Sequence, residues 1–249
     1  MKISVVTATY HCADTIGDCL GSVAGQSLAE REHIVIDGAS TDGTLEVLRA
    51  HEAGLAALVS EPDDGIYSGL NKGLARASGE AVGLLHGDDV YADTHVLARV
   101  ADAFADPAVD AVYGDLVYVA KDDLGRVIRY WRAGAFRPGR LRRGWMPPHP
   151  TLFLRRSVYE RFGLFDTRYR IAADYDLMLR VLSQLSGRVV YLPQVLVRMR
   201  VGGASNRSLR QVMRKSWEDY QALRANGVGG VGALAWKNLS KVPQLFVRQ

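Results

Sequence analysis

Apolar and polar positions alternate between two periods along the first half of the chain. Short β-branched runs read as buried strands: Lys2–Thr7 (KISVVT), Glu32–Asp37 (EHIVID), the weaker Leu55–Ser60, Ala81–Leu85 and Ala111–Gly114. Between them the spacing becomes helical. Ile16, Leu20 and Val23 share one face of a predicted helix from Asp14 to about Val23, and further helices are predicted over Thr44–His51, Ile66–Ala77 and Asp93–Phe104. Gly38–Gly43 and Ser78-Gly79 supply turn chemistry. Strands alternating with helices predict an α/β protein with a parallel sheet covered on both faces.

After Asp115 the pattern changes. Val117–Ala120 and Val127–Trp131 predict a hairpin around Lys121–Gly125. Pro147, Pro148 and Pro150 hold an extended stretch before a strand at Thr151–Arg155. A short helix is predicted over Ser157–Phe162, a longer one over Asp174–Leu185, and a strand over Val189–Leu192. The remainder is a basic tail.

In open α/β sheets ligands bind beyond the carboxyl ends of the strands. Thr7–Tyr10, Asp37–Asp42, Glu61–Asp64 and Asp88-Asp89 all fall at such ends, so four polar clusters converge on one sheet edge. In LLHGDDVYAD two adjacent carboxylates close an apolar run at an electrostatic cost. A hard divalent cation takes one or two carboxylates plus substrate phosphates and would remove that repulsion. An Asp-Asp pair is also ordinary turn and helix-start chemistry, and both readings stand at this level.

Charge sharpens the picture. The net charge of +4 hides a division: residues 1–123 hold 7 Lys+Arg against 21 Asp+Glu, and residues 124–249 hold 24 against 6. From Leu124 to Tyr159 there are nine arginines and no acid. An acidic half suits a metal, and a basic half suits phosphates, an anionic acceptor or a membrane surface. With 48% hydrophobic residues the 249-residue chain can build a proper core. Met1–Thr7 runs directly into a strand, so no leader is expected, and no apolar run approaches the ~20 residues of a membrane span. The two cysteines, Cys12 and Cys19, match no zinc site and fit a reducing cytoplasm.

Five motifs appear in order: TATYHCADTIGDCLGSV, VIDGASTDGT, EPDDGIYSGLNKGLARASGE, LLHGDDVY and AADYDLMLR. Together they resemble the bacterial family-2 glycosyltransferases, over roughly Lys2 to Ser205, and the wording is closest to a branch that builds exopolysaccharides and glycolipids. The resemblance implies the GT-A fold, a Rossmann-like mixed sheet flanked by helices. It divides the chain into a catalytic domain over residues 1–206, with a nucleotide-sugar-binding part (1–115) and an acceptor-side part (116–206), and a basic helical tail over 207–249. It also implies a nucleotide-sugar donor, Mn²⁺ or Mg²⁺, and inversion at the anomeric carbon.

The resemblance carries roles to particular residues. Ala8, Thr9 and Tyr10 match the segment lining the nucleoside pocket, with Tyr10 packing on the base. Asp37 matches the acid that meets the base, although Gly38 stands where the family has a second acid. Asp64, Asn71 and Lys72 fall on the donor-side loop and helix, and Lys72 reads either as a phosphate contact or as an exposed helix lysine. Asp88 and Asp89 match the DxD-type site, Asp89 as the metal ligand and Asp88 toward the ribose or donor sugar. His86 reads as a satisfied core residue. Asp174 matches the catalytic base that takes the acceptor hydroxyl's proton, and it also reads as an N-cap. Asp176, two residues on, is read as structural.

The arginine-rich stretch with Arg137, Arg140, Arg142 and Arg143 surrounds the expected acceptor side, and Arg is suited to bidentate phosphate binding. Arg143 and His149 are acceptor candidates, and His149 also reads as a plain loop histidine. Arg198–Asn206 is a Gly-rich loop that would close over the diphosphate about Gly202-Gly203. In the tail, Ala235, Leu239, Val242 and Phe246 oppose Lys237, Lys241, Gln244 and Arg248. Such a helix either lies on an anionic membrane or packs on the domain or a second subunit; Pro243 would kink it. The expected acceptor is a saccharide or a lipid-linked sugar, and the expected location is the cytoplasm, at the inner face of the cell membrane if the tail binds there. A homodimer is compatible with the sequence. A nucleotidyltransferase would want a Gly-rich loop after the first strand, which TATYHCAD lacks. A nucleic-acid-binding protein would want aromatics interleaved with its basic residues, and the acidic half would repel phosphate.

Overall fold

In the computed structural model, residues 1–202 and 209–239 are described. The N-terminal strand β1 (Ile3–Thr9) is buried at every position. Both of its faces are covered, which is why its sequence is β-branched and apolar with only small hydroxyl residues, Ser4, Thr7 and Thr9, between. It pairs in parallel with β2 (Arg31–Asp37) and with β4 (Ala81–Leu84), and β2 pairs in parallel with β3 (Ala57–Ser60). These four strands alternate with helices α1 (Ile16–Ala24), α2 (Thr44–Ala50) and α3 (Ile66–Leu74), as the periodicity predicts, in the spatial order β3-β2-β1-β4. Alternate residues serve opposite layers. Val6, Ala8, Ile34 and Ile36 pack with α3 residues Leu70 and Leu74, while Ile3, Val5 and Val35 pack with Ile16, Leu20 and Leu48.

The sheet continues as a mixed one. After a two-residue strand β5 (Val90–Tyr91) and helix α4 (Val96–Ala103) come β6 (Val109–Val119) and β7 (Val127–Trp131). Then follow α5 (Pro138–Leu141), β8 (Phe153–Arg155), α6 (Arg156–Phe162), α7 (Ala173–Leu182) and β9 (Arg188–Arg200). The strand order is β3-β2-β1-β4-β8-β6-β9-β5, with β7 on β6. Strand β8 is antiparallel to both β4 and β6, while β9 runs parallel to β6. The parallel sheet expected from the alternation therefore holds across the first four strands and again between β6 and β9, and the antiparallel β8 breaks it between them.

Two strands are longer than the sequence pattern predicts. The predicted strand at Ala111–Gly114 and the first arm of the hairpin are one strand, β6, whose partner changes from β8 to β7 along its length. Its neighbour β9 extends from Arg188 to Arg200, well past the predicted Val189–Leu192. Pro193 hid this continuation, since proline lacks a ladder donor. The chain resolves the conflict with an irregularity: Gly114 pairs with Leu192 and Asp115 with Val195, so Pro193 and Gln194 are left out of register. Gly114 makes room for it, because a Cβ there would lie 2.5 Å from Leu196 Cγ.

Helices α8 (Leu209–Ala225) and α9 (Val231–Leu239) lie against α7. Glu218 Oε2 accepts from the backbone N–H groups of Ile171 (2.8 Å) and Ala172 (3.1 Å), so α8 supplies the acceptor that the start of α7 lacks locally. Asn226 donates to Asp176 Oδ1 (2.8 Å), and Arg180 pairs with the same carboxylate, which gives Asp176 the structural part expected of it. Lys237 was read as part of a solvent-facing stripe. It is buried instead, 2.8 Å from Asp219 Oδ1 and with its ammonium over the Tyr175 ring. The rest of the predicted amphipathic stripe, with Lys241, Val242, Pro243, Gln244, Phe246 and Arg248, lies outside the described residues. No helix among the described residues is long and apolar enough to cross a membrane.

Glu32 clamps the opposite end of the sheet. Its carboxylate receives Lys2 Nζ (2.6 Å), Ser4 Oγ (2.5 Å), Ser78 N (2.7 Å) and Gly79 N (3.1 Å), joining β1, β2 and the turn before β4. Burial alone would raise its pKa; the Lys2, Ser4 and Ser78 hydrogen bonds win and hold it at about 2. A depressed carboxylate contributes stability above its unfolded value of 4.5, and that contribution is lost as the pH falls toward 2. In urea unfolding, Glu32→Gln should therefore be less stable than wild type at pH 6, and the gap should close as the pH is lowered toward 2.

Candidate functional site

At the sheet edge, the ends of β1, β2 and β4 form a cleft with α3 and the start of α7. β1 ends in Ala8 and Thr9, both buried, and then Tyr10, which is 61% exposed. The turn after Tyr10 places His11 at φ 52°, its ring stacked on Tyr10 at 3.9 Å. Ala39, in the facing turn after β2, sits at φ 60°. Two non-glycine residues in the left-handed region at one cleft is the kind of local strain that gathers at functional sites.

Asp37 is wholly buried at the end of β2. Its carboxylate accepts from Ser40 N (3.0 Å), Ser40 Oγ (2.5 Å) and Ser60 Oγ (2.6 Å), so it braces the turn and the end of β3. Asp64 is exposed, and lines a small cleft of about 230 Å³ with Tyr67, Thr167 and Arg170. Lys72 pairs with Glu61 at 2.8 Å, which favours the helix-lysine reading. Asn71 makes a two-way amide clasp, donating to Phe165 O (2.9 Å) and accepting from Phe165 N (3.0 Å), and so ties α3 to the loop before α7.

The aspartate turn rests on β1. Gly87 is required there, since a Cβ would lie 2.6 Å from Thr9 Oγ1. Asp88 is half-buried, whereas Asp89 is wholly buried. The sequence reading put the metal on Asp89, yet Asp88 is the more accessible of the two. Asp89 Oδ1 accepts from the Arg200 backbone N–H (3.2 Å), and its Oδ2 is buried with no hydrogen-bond partner. Burial, then the Asp88 charge beside it, push the Asp89 carboxyl well above the usual carboxylate range. An unpartnered buried oxygen next to a second carboxylate fits a hard cation, which would satisfy the one and neutralise the other. Among the described residues no three His, Cys, Asp or Glu side chains converge as a metal cage, so the remaining ligands of such an ion would be water or phosphate oxygens.

Arg200 was missed in the sequence. It sits at the end of β9, and its guanidinium donates to Asp88 O (2.8 Å), Lys121 O (3.2 Å) and Asp18 Oδ2 (2.5 Å). An arginine at a strand end carries no local signal of this role; only the tertiary pairing of β9 with β5 and β6 reveals it. The loop that follows, read as a hinge at Gly202-Gly203, is described only as far as Gly202.

Asp174 lies in the first turn of α7. The N-cap is Ala172, so the capping role read for Asp174 does not hold. Tyr67 OH donates to Asp174 Oδ1 at 3.2 Å and to Ile171 O at 2.7 Å. His86 is no satisfied core residue: its Nδ1 has no partner, and it lies within the fields of both Asp88 and Asp174. Its ring centroid is 5.8 Å from that of His149, whose Nε2 is also buried and unpartnered. Asp88, His86, His149 and Asp174 thus bridge the two sides of the cleft. Arg143 is exposed on the arginine-rich loop.

The parallel βα half, the mixed second half and the aspartate turn between them define a GT-A glycosyltransferase. The profile described as glycosyl transferase family 2 matches residues 4–163, and the chain belongs to that family. It is 30% identical over 208 residues to a PGL/p-HBAD biosynthesis glycosyltransferase of Mycobacterium tuberculosis, covering 82% of this chain and 78% of that one. Among solved structures, S. aureus TarS 1–349 in complex with UDP-GlcNAc superposes with a TM-score of 0.71 at 20% identity, over 92% of this chain and 66% of that one. The chain spans 39% of the longer TarS chain. Mannosyltransferase PcManGT from Pyrobaculum calidifontis, in complex with GDP-Man and Mn²⁺, superposes with a TM-score of 0.68 at 22% identity, over 98% of this chain and 70% of that one.

Burial pushes His149 down to about 4, against the pull of Asp174, and pushes the core His33 down to about 3. Below pH 6.5 the unfolded chain takes up protons that the folded one refuses, so stability should fall as the pH drops from 6.5 toward 4. Nitrogen-detected histidine NMR should show both rings neutral at pH 5, and His149→Gln should flatten part of the stability slope.

Proposed function

We propose that the protein is an inverting glycosyltransferase that moves a sugar from a nucleoside-diphosphate donor to a saccharide or lipid-linked acceptor. The observation that carries this reading is the pairing of two carboxylates across one cleft, Asp88 at the end of β4 and Asp174 at the start of α7, with His86 between them in the fields of both. One belongs beside a departing diphosphate and the other beside an incoming hydroxyl. Asp174, held by Tyr67, takes the proton from the acceptor hydroxyl as that oxygen bonds to the anomeric carbon and the bond to the diphosphate breaks. A single displacement of this kind inverts the anomeric centre.

Asp88 and Asp89 would hold a Mn²⁺ or Mg²⁺ ion, which supplies positive charge where the leaving diphosphate gathers negative charge. Arg200 keeps their turn in place. Ala8, Thr9 and Tyr10 line the nucleoside side, with the exposed Tyr10 ring as its stacking surface. Asp64 stands at the rim on the donor side. His149, at the cleft, and Arg143, exposed on the arginine-rich loop, are assigned to the acceptor.

We favour a lipid-linked acceptor on the apolar side chains that α8 and α9 expose. A site for such an acceptor at the inner face of the cell membrane agrees with the exposed Met213 and Trp217 of α8 and Trp236 of α9 among basic neighbours.

Donor turnover assayed with a panel of nucleotide sugars tests the reading. Asp174→Asn should lower kcat by about 10²–10⁴-fold with donor binding kept. Tyr67→Phe should lower kcat by a smaller factor and leave the donor KM unchanged, as expected for a group that only positions Asp174. Chelation should abolish turnover and Mn²⁺ should restore it, while Asp88→Asn should weaken nucleotide binding in metal and leave metal-free binding unchanged. Full activity in Asp174→Asn would rule out its part as the base.

A further inference from the structure

We propose that Asp63, and not Asp37, reads the nucleobase, and that it selects a base with an imide N–H, uracil or thymine. This rests on the transferase reading above and names the donor class that the site takes. Asp37 has no surface left for a ligand: it is wholly buried and its oxygens serve Ser40 and Ser60. Asp63 is half-buried in the loop between β3 and α3, with Oδ1 accepting from Gly65 N at 2.9 Å. Its Oδ2 occupies space left open by two glycines. A Cβ built on Gly38 would stand 3.2 Å from that oxygen, and one built on Gly69 would stand 3.1 Å from it.

The same Cβ at Gly38 would lie 3.3 Å from Tyr10 Cδ2, and the one at Gly69 would lie 3.3 Å from Ala8 Cβ. Asp63 Oδ2, the Tyr10 ring and Ala8 therefore border one small space. A base resting against Tyr10 presents its pairing edge to Oδ2. An ionised carboxylate only accepts hydrogen bonds. Uracil and thymine offer a single N3–H, which one free oxygen satisfies. Cytosine puts a bare N3 lone pair where uracil has its donor, and its N4 amino group, one position over, reaches Oδ2 only if the base shifts across Tyr10. Guanine offers two adjacent donors and calls for two free oxygens, of which Gly65 already engages one. The glycine at 38, where a second acid was expected, is what lets Asp63 approach.

Isothermal titration of UDP, dTDP, CDP and GDP in Mn²⁺ buffer tests this, with melting temperature as the check on folding. Wild type should bind UDP and dTDP at least about tenfold more tightly than CDP or GDP, the cost of one unsatisfied buried polar group. Asp63→Asn carries an amide that can donate to cytosine N3, and should shrink the ratio of UDP to CDP affinity by about tenfold. Gly38→Ala leaves the Asp63 carboxylate chemically intact but crowds its Oδ2 with a methyl at 3.2 Å, and should shrink that ratio too. An unchanged ratio in folded Asp63→Asn and Gly38→Ala proteins overturns the proposal while leaving the transferase reading intact. A preference of wild type for CDP or GDP does the same. Wild type that binds no nucleotide with or without metal overturns the transferase reading and this proposal with it.

Discussion

A carboxylate removed from water governs this sheet edge. Asp89 is wholly buried beside Asp88, and neither partner of such a pair can be desolvated without compensation. Arg200 supplies part of it. Its side chain holds the Asp88 carbonyl while its own backbone N–H meets Asp89, so the end of β9 and the turn after β4 are held together by one residue. The compensation is incomplete, because one Asp89 oxygen stays unpartnered. The position of α1 follows from the same centre, since Asp18 takes the third arm of the guanidinium. The glycine at position 87 follows as well, because the turn must lie flat on Thr9.

The two halves of the cleft are held by different means. The side at β1 and β2 is built on strand ends whose residues hydrogen-bond locally, as Asp37 does with Ser40. The side at α7 is built on a helix start that depends on distant partners. Tyr67 of α3 meets Asp174, Asn71 of α3 meets the loop at Phe165, and Glu218 of α8 meets the N–H groups ahead of α7. Helix α3 therefore spans both sides, and a small shift of it would move the base-side loop and the Asp174 carboxylate together.

Much of this was legible in the sequence, and the exceptions have physical reasons. Strands β1, β2 and β4 are buried on both faces and read as plain apolar runs, so they and their polar ends were found. The convergence of Asp88 and Asp174 on one edge followed from topology and motif order. Nothing local tells which of the adjacent acids Asp63 and Asp64 turns inward; the structure turns Asp63 toward Gly38 and Gly69, where side chains are absent, and leaves Asp64 exposed. His86 reads as core in the sequence, and only the fold brings it between Asp88 and Asp174 with its Nδ1 unpartnered. The far half of β9 was hidden by Pro193, and Arg200 with it. Lys237 fitted a polar helical stripe, and only the buried Asp219 across from it explains why it points inward.

The sequence distance of the Arg200 contacts bears on how the molecule comes into being. Arg200 is 111 residues from Asp89 and 182 from Asp18. Contacts so remote are closed late, after the loop entropy between them has been met. As the chain leaves the ribosome, the parallel strands near the N-terminus can pair long before β9 exists. During that interval the aspartate turn lacks the strand that will cover it and the arginine that will hold it. The nascent domain must wait with an open sheet edge and an unshielded acidic turn until β9 has been made.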